Sequence, residues 1–396
     1  MGLFRALTGG LPLRYTLGNL VVRRTSVFFT AMGVALTVAV FAGVISLRNG
    51  FHDVYKPRGE SALGIYLRPG ATSEGESGLP REMADTLAKE RAEIEHNAEG
   101  RPLAAVESYL AVYMNKVGGG VTNVPLRGVQ PMTVELHGDV LKLADGRWVN
   151  WGADEVVVGK ALTERIEHCR VGDTLVINTT PFIVVGVFEH PGVYGGEVWG
   201  DVERMNAALE RPFFSRVIAR LKPGVDAEAV RAEVADSKRY PVKFQTEREY
   251  LQSQTQVFGF VLLFLATFLT AIMGIAAILG AINTMLASVG SRTHEIGVLL
   301  ALGYPRRAVF FAFLLESLLL GLLGGALGVL LVLPFNGMQT GAMNWQTFTD
   351  ISFEFRVTAG LLGFSVFVAL VLGLVGGVLP ALRAARMRPV EALRAL

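Results

Sequence analysis

A single cysteine, Cys169, stands in 396 residues, so no intrachain disulfide can form, and thiol redox pairs and zinc ribbons are excluded. His168 beside it is too little for a metal site. No Gly-x-x-x-x-Gly-Lys-Ser/Thr phosphate loop occurs anywhere, so the chain lacks the backbone cradle that nucleotide hydrolysis of that class needs. Charge is scarce as well: 18% of residues are Asp, Glu, Lys or Arg and 51% are hydrophobic, which is too apolar for an ordinary soluble protein. His52, His96, His137 and His190 are scattered, with acids nearby but with no metal-ligand or nucleophile spacing, which weighs against a membrane-anchored enzyme or sensor. There is no internal repeat or low-complexity tract.

What the chain does have is long uncharged runs. A bilayer core about 30 Å thick needs roughly 20 apolar residues in a helix. Four stretches qualify: 25–47 between Arg24 and Arg48, the densest part of the Tyr250–Ser291 interval at 257–286, 308–334 with one carboxylate at Glu316, and 357–382. Buried helices of a soluble protein would leave four such runs with no polar face for water. The first run is long, starts late and is followed by no small-residue cleavage pattern, so it reads as a retained span rather than a signal peptide.

Basic residues then orient the spans. Residues 1–24 hold Arg5, Arg14, Arg23 and Arg24 without an acid, the 287–307 loop holds Arg292, Arg306 and Arg307, and the 383–396 tail holds Arg383, Arg386, Arg388 and Arg394. The positive-inside rule puts these three segments, and both termini, in the cytoplasm. Clustered beside spans, these residues meet membrane lipid headgroups, and nucleic-acid binding is excluded. The 335–356 loop has one Arg against Asp350 and Glu354 and falls outside. Residues 48–249, of normal polarity and net acidic balance, form an extracytoplasmic α+β domain between the first and second spans. Its pattern predicts helices at 79–96, 160–168 and 226–234, and strands at 121–129, 155–158, 174–177, 182–188, 215–221 and 242–244, with a turn at Thr180-Pro181.

Three motifs carry a family resemblance. RTHEIGVLLALGYPRRAVFFAFLLESLLLGLLGGALG, residues 292–328, resembles the FtsX-type permease signature in Arg292, Glu295-Ile296-Gly297, Ala301-Leu302-Gly303, Arg306-Arg307, Glu316 and the glycines at 321, 324, 325 and 328. PALRAARMRPVEALRAL, residues 380–396, is similar to the family's C-terminal ending, and VVVGKALTERIEHCRVGDTLVINTTPFIVVGVFEHPG, residues 156–192, is similar to the MacB periplasmic core domain. Asn19-Leu20 and Arg23-Arg24-Thr25 stand where the family has an amphipathic lead-in to the first span. The chain thus resembles MacB/FtsX-type ABC transporter permeases, similar to LolC, LolE and DevC. MacB carries its nucleotide-binding domain on the same polypeptide, and this chain has no phosphate loop; the resemblance therefore implies an ABC ATPase in trans, with ATP and Mg on that partner and no cofactor here.

The resemblance makes Ser291–Gly303 a coupling helix. Ile296, Leu299 and Leu300 can form an apolar stripe, with Arg292 and Glu295 facing elsewhere and Gly297, Ala301, Leu302 and Gly303 completing the segment, so it can lie along the membrane and dock into a groove on the ATPase. A solvated turn is the alternative. Glu316 lies nine residues beyond Arg307, about 13 Å into the apolar run. It serves a proton relay, or pairs with backbone or with an Arg near the inner face; pairing is preferred, because no other carboxylate, Lys or His lies within the spans. Gly321, Gly324, Gly325 and Gly328, and Gly373, Gly376 and Gly377, have small-xxx-small spacing, which suits close helix packing and equally suits hinges. Since ABC ATPases work in pairs, two ATPase copies and a second permease copy are expected, as a homodimer or heterodimer, in the bacterial inner membrane. The implied function is mechanotransmission that exports a lipoprotein, lipid, peptide or drug. FtsX-like signalling to a cell-wall hydrolase is the alternative, and the outer partner would be an adaptor or that hydrolase. The outer domain's size is nearer that of MacB and Lol proteins.

Overall fold

The structure is a computed structural model, and it describes residues 24–58, 62–237, 239–344 and 347–389. The lead-in to the first span, apart from Arg24, and the tail beyond 389 lie outside the described residues. In chain order, helix α1 (Arg24–Val54) precedes β1 (Leu63–Leu67), α2 (Arg81–Glu90), β2 (Ala104–Asn115), β3 (Val121–Val129) and α3 (Pro131–His137). Next come β4 (Lys142–Gly146), β5 (Glu155–Gly159), β6 (Thr174–Ile177), β7 (Thr180–Glu189), β8 (Val198–Asp201) and α4 (Val202–Ala208). After β9 (Arg216–Arg220), α5 (Ala227–Ala235) and β10 (Lys243–Thr246), the chain enters α6 (Glu247–Ser291) and α7 (Thr293–Ala301). It ends with α8 (Arg306–Val332), a hairpin of β11 (Gln339–Asn344) and β12 (Thr349–Glu354), and α9 (Ala359–Ala385).

Two compact units emerge. One comprises Met1–Gly50, Phe260–Met338 and Glu354–Leu396, and the other Phe51–Gly259 and Gln339–Phe353. Among the described residues, four helices are long and apolar enough to cross a membrane: α1, α6, α9, and α8 with the turn that extends it to Phe335. Within the first unit, Met285, Val289, Ile296, Val309, Phe313, Leu320, Ala381 and Ala384 form one apolar cluster, and Val34, Val38, Ala277 and Ala369 another.

The second unit is built on a mixed ten-stranded sheet in the order β10-β1-β9-β2-β3-β8-β5-β7-β4, with β6 paired to β7. β3 and β8 run parallel, as do β5 and β7. The β2–β3 hairpin turns through Gly118-Gly119-Gly120, whose φ values of 92°, 103° and 87° are open to glycine alone at little cost. Strand alternation divides the core: Val156 and Val158 face Leu162, Ile166 and Met205, while Val157 faces Phe188, Tyr194 and Trp199. Toward the other end of the sheet, Tyr66, Val106, Val217 and Phe244 pack against Leu87 of α2 and Val230 and Val234 of α5.

Three local readings change. The 79–96 helix shrinks to α2, because Leu79 and Pro80 pair with Phe214 and Phe213, while Ile94 and His96 form bridges to Leu221 and Pro102. Over 160–168 there is only a 3-10 turn at Lys160–Leu162: Lys116 and Ile166 bridge, and Val117 N–H donates to the Arg165 carbonyl at 2.9 Å. Leu162 and Ile166 still reach the core, so the apolar spacing was real and the period was misassigned. The β6–β7 turn is Asn178-Thr179, not Thr180-Pro181, and Asn178 takes φ 57°, a conformation Asn tolerates. The 335–356 loop holds the β11–β12 hairpin.

Candidate functional site

In the membrane-helix unit, α7 is a separate short helix set between α6 and α8. Arg292, at its N-cap, donates from Nη1 to Glu316 Oε2 at 3.3 Å and from Nε to Glu295 Oε2 at 3.3 Å, and its guanidinium lies 5.2 Å from the Phe313 ring centre. Glu316, 5% exposed, therefore has a guanidinium beside it, the arrangement that makes an ionised side chain tolerable at such depth. The end of α7 is a Schellman turn: Gly303 has φ 90°, Tyr304 N–H donates to Leu299 O at 3.1 Å and Gly303 N–H to Leu300 O at 3.2 Å. Pro305 then caps α8.

The stripe expected to dock does not face one way. Ile296 is buried among Met285, Val309 and Phe313, with Leu300 packed on the same cluster, because helical geometry turns positions four apart onto one face. Gly297 is buried and Leu299 half-buried. The exposed apolar positions are Val298, Ala301 and Leu302, the last 73% exposed, with Gly303 beside them and Glu295 exposed one turn away.

All seven glycines of the small-residue pattern lie at close helix approaches. A Cβ on Gly321 would stand 2.7 Å from the Ala369 carbonyl oxygen, and one on Gly373 2.7 Å from that of Ser317. Gly324 and Gly328 face Val34 and Val38 of α1, Gly325 faces Ala369, Gly376 faces Ala281 of α6, and Gly377 faces the Ser317 side chain. Ser317 donates its hydroxyl to the Gly373 carbonyl. These contacts supply the close-packing role; nothing in them requires a hinge.

The outer unit contains a cluster that sequence reasoning missed. Arg127 of β3 and Arg216 of β9, both fully buried, meet Glu74, Glu107 and Glu197. Arg127 donates to Glu197 from Nε at 2.6 Å and from Nη2 at 2.8 Å, and its Nη1 donates to Glu74 and, at 3.0 Å, to Glu107. Arg216 donates to Glu107 from Nε at 2.8 Å and to Glu74 from Nη1 at 2.7 Å, and Trp199 Nε1 donates to Glu197 at 2.7 Å. Burial works against ionisation of Glu107, yet Arg216 and Arg127 hold its carboxyl below the usual range. The cluster reaches the head of α6: Tyr194 OH donates to Glu247 Oε1 at 3.0 Å, and Glu74 N–H donates to the Tyr250 hydroxyl at 3.3 Å. The available signal was a charge set among apolar residues in each strand, Glu107 in AAVESYL, Arg127 in VPLRGV and Arg216 in SRVIA.

The β11–β12 hairpin is tied into the same unit. Asp350 accepts from Arg165 at 2.8 Å and from Thr122 at 3.0 Å, and Asn344 donates to Tyr55. Phe51 lies tilted against Phe258 at 4.4 Å and edge-to-face with Phe353 at 5.4 Å between ring centres. The end of α1, the head of α6 and the hairpin thus meet in one aromatic contact. Among the described residues no group of His, Cys, Asp and Glu is set to hold a metal.

Comparison with known proteins assigns the lineage. Residues 27–237 match the MacB-like periplasmic core domain and residues 267–389 the FtsX-like permease C-terminal region. The chain belongs to the MacB/FtsX-type ABC permeases. This permease is 26% identical over 398 residues to the macrolide export ATP-binding/permease protein MacB of Bdellovibrio bacteriovorus, covering 92% of this chain and 58% of that protein. It is 27% identical over 410 residues to MacB 2 of Aeromonas hydrophila, covering 96% of this chain and 60% of that protein. It thus spans less than two thirds of the length of either. Among solved structures, the periplasmic region of MacB from Actinobacillus actinomycetemcomitans aligns with 49% of the permease and 92% of that chain, at 14% identity and a TM-score of 0.36. As a family member the permease is an inner-membrane protein with a periplasmic domain.

Proposed function

We propose that this permease couples ATP hydrolysis on a separate ABC ATPase to movement of its periplasmic domain, and thereby exports a lipid, lipoprotein, peptide or drug. Both termini and α7 are cytoplasmic, the domain between α1 and α6 is periplasmic, and two permease copies engage two ATPase copies. The phosphate loop absent from these residues lies on the ATPase, which holds ATP and Mg. Relatives named for macrolide export favour cargo movement over signalling to a hydrolase.

The observation that carries this reading is the two-sided character of α7. Its inner side, Ile296, is anchored in the bundle, and Arg292 ties its first turn to Glu316 of α8. Its outer side leaves Val298, Ala301 and Leu302 uncovered beside Glu295. An apolar helix face exposed next to the helix ends suits a groove on a partner, and the anchor would pass the partner's movement to α8. Copurification with an ABC ATPase coexpressed with the permease tests it. Leu302→Asp should abolish ATPase recovery and export while the permease still reaches the membrane; undiminished recovery would refute the docking face.

A further inference from the structure

Glu247 opens α6, and Tyr194 provides its one side-chain hydrogen bond, at 3.0 Å. Among the described residues no guanidinium lies within ion-pair distance of it; Arg216 reaches the far side of the same phenol, Nη1 to Oη at 3.2 Å. The charges around it are already unbalanced. Arg127 of β3 and Arg216 of β9 face three directly paired carboxylates, Glu74 of the 3-10 turn Glu74–Glu76, Glu107 of β2 and Glu197 ahead of β8. Two cations against three anions leave one negative charge, and an ionised Glu247 would make it two in a region closed to water, a heavy desolvation cost.

Burial pushes the Glu247 carboxyl up, Arg216 and Tyr194 oppose it, and Glu107 and Glu74 add to it. Burial pushes Glu197 up as well, against Arg127, but Glu197 accepts three hydrogen bonds from Arg127 and Trp199 whereas Glu247 accepts one. The surplus proton therefore belongs on Glu247.

We propose that Glu247 carries a proton while the first turn of α6 is seated on the periplasmic domain, and that its ionisation unseats that turn, so that the head of the helix is a proton-operated latch. The latch lies inside the outer unit and needs no ATPase, so it stands independently of the coupling reading. Its sign follows from the raised proton affinity of the seated group: the contribution is complete below the ordinary glutamate range and is lost as pH rises through the raised value.

Infrared spectroscopy and hydrogen exchange on the full-length permease in nanodiscs test this. A protonated-carboxyl C=O band should be present at neutral pH, disappear on alkalinisation and be missing from Glu247→Gln. Amide exchange over 248–255, corrected for intrinsic rates, should rise across that titration in the wild type and stay level in Glu247→Gln. Tyr194→Phe keeps the acid without its donor and should move the band to higher frequency. A band that persists in Glu247→Gln, an exchange rise equal in both proteins, or a band unmoved in Tyr194→Phe would overturn the latch.

Discussion

The two units of this permease bury polarity in opposite ways. The membrane-helix unit sets one carboxylate, Glu316, beside one guanidinium, Arg292, and gains its tightness from glycines that let backbones approach. The periplasmic unit encloses two arginines and three directly paired glutamates against its sheet and adds a fourth carboxylate from α6. Hydrocarbon gives neighbouring helices no hydrophobic reason to associate, so close contact has to come from small residues. A water-exposed domain holds together by apolar burial around its layers and can therefore carry a costly ionic centre, provided every charge is paired. Rigidity is built from absent side chains in the first unit and from mutually dependent charges in the second.

That contrast ranks the expected damage. Arg216→Met leaves Glu74 and Glu107 short of a counter-charge and should destabilise the periplasmic unit by about 3–5 kcal/mol; protease resistance of the outer domain is the readout, and a wild-type pattern would mean the cluster is dispensable. Gly324→Ala places a methyl 2.7 Å from Val34 Cβ and should cost about 1–3 kcal/mol through overpacking. Gly363→Ala, whose added Cβ meets nothing within 4 Å, should be neutral or gain up to about 1 kcal/mol; equal thermal midpoints for these two variants would break the packing half of the comparison. Asp350→Asn weakens the Arg165 and Lys116 contacts, at 2.8 and 3.5 Å, and being partly exposed should cost only about 1 kcal/mol, read as faster amide exchange confined to β11 and β12.

What could be read from the sequence follows the same division. The uncharged runs forecast helices because a span must satisfy its backbone within itself, and the small-xxx-small glycines fall at the contacts their spacing suits. β3 and β6 lie where alternation and turn residues placed them. The misassigned 160–168 segment and the shortened 79–96 helix are places where bridges to distant strands outweigh local periodicity. The ionic cluster was hidden for a related reason: Glu74, Glu107, Arg127, Glu197, Arg216 and Glu247 are far apart in the chain, and sheet order together with the packing of a 3-10 turn and the head of α6 brings them together. On α7 the stripe Ile296, Leu299 and Leu300 was visible as apolar, but which side meets the bundle depended on the contacts of Ile296 with Met285 and Phe313.

The central claim is that α7 meets an ATPase with one face and the bundle with the other. Site-specific photocrosslinking in cells that express both proteins tests it most directly, with the crosslinker placed in turn at Leu302, Val298 and Ile296. The account predicts ATPase adducts from Leu302 and Val298 and none from Ile296. Adducts from Ile296, or none from any of the three positions, would contradict it.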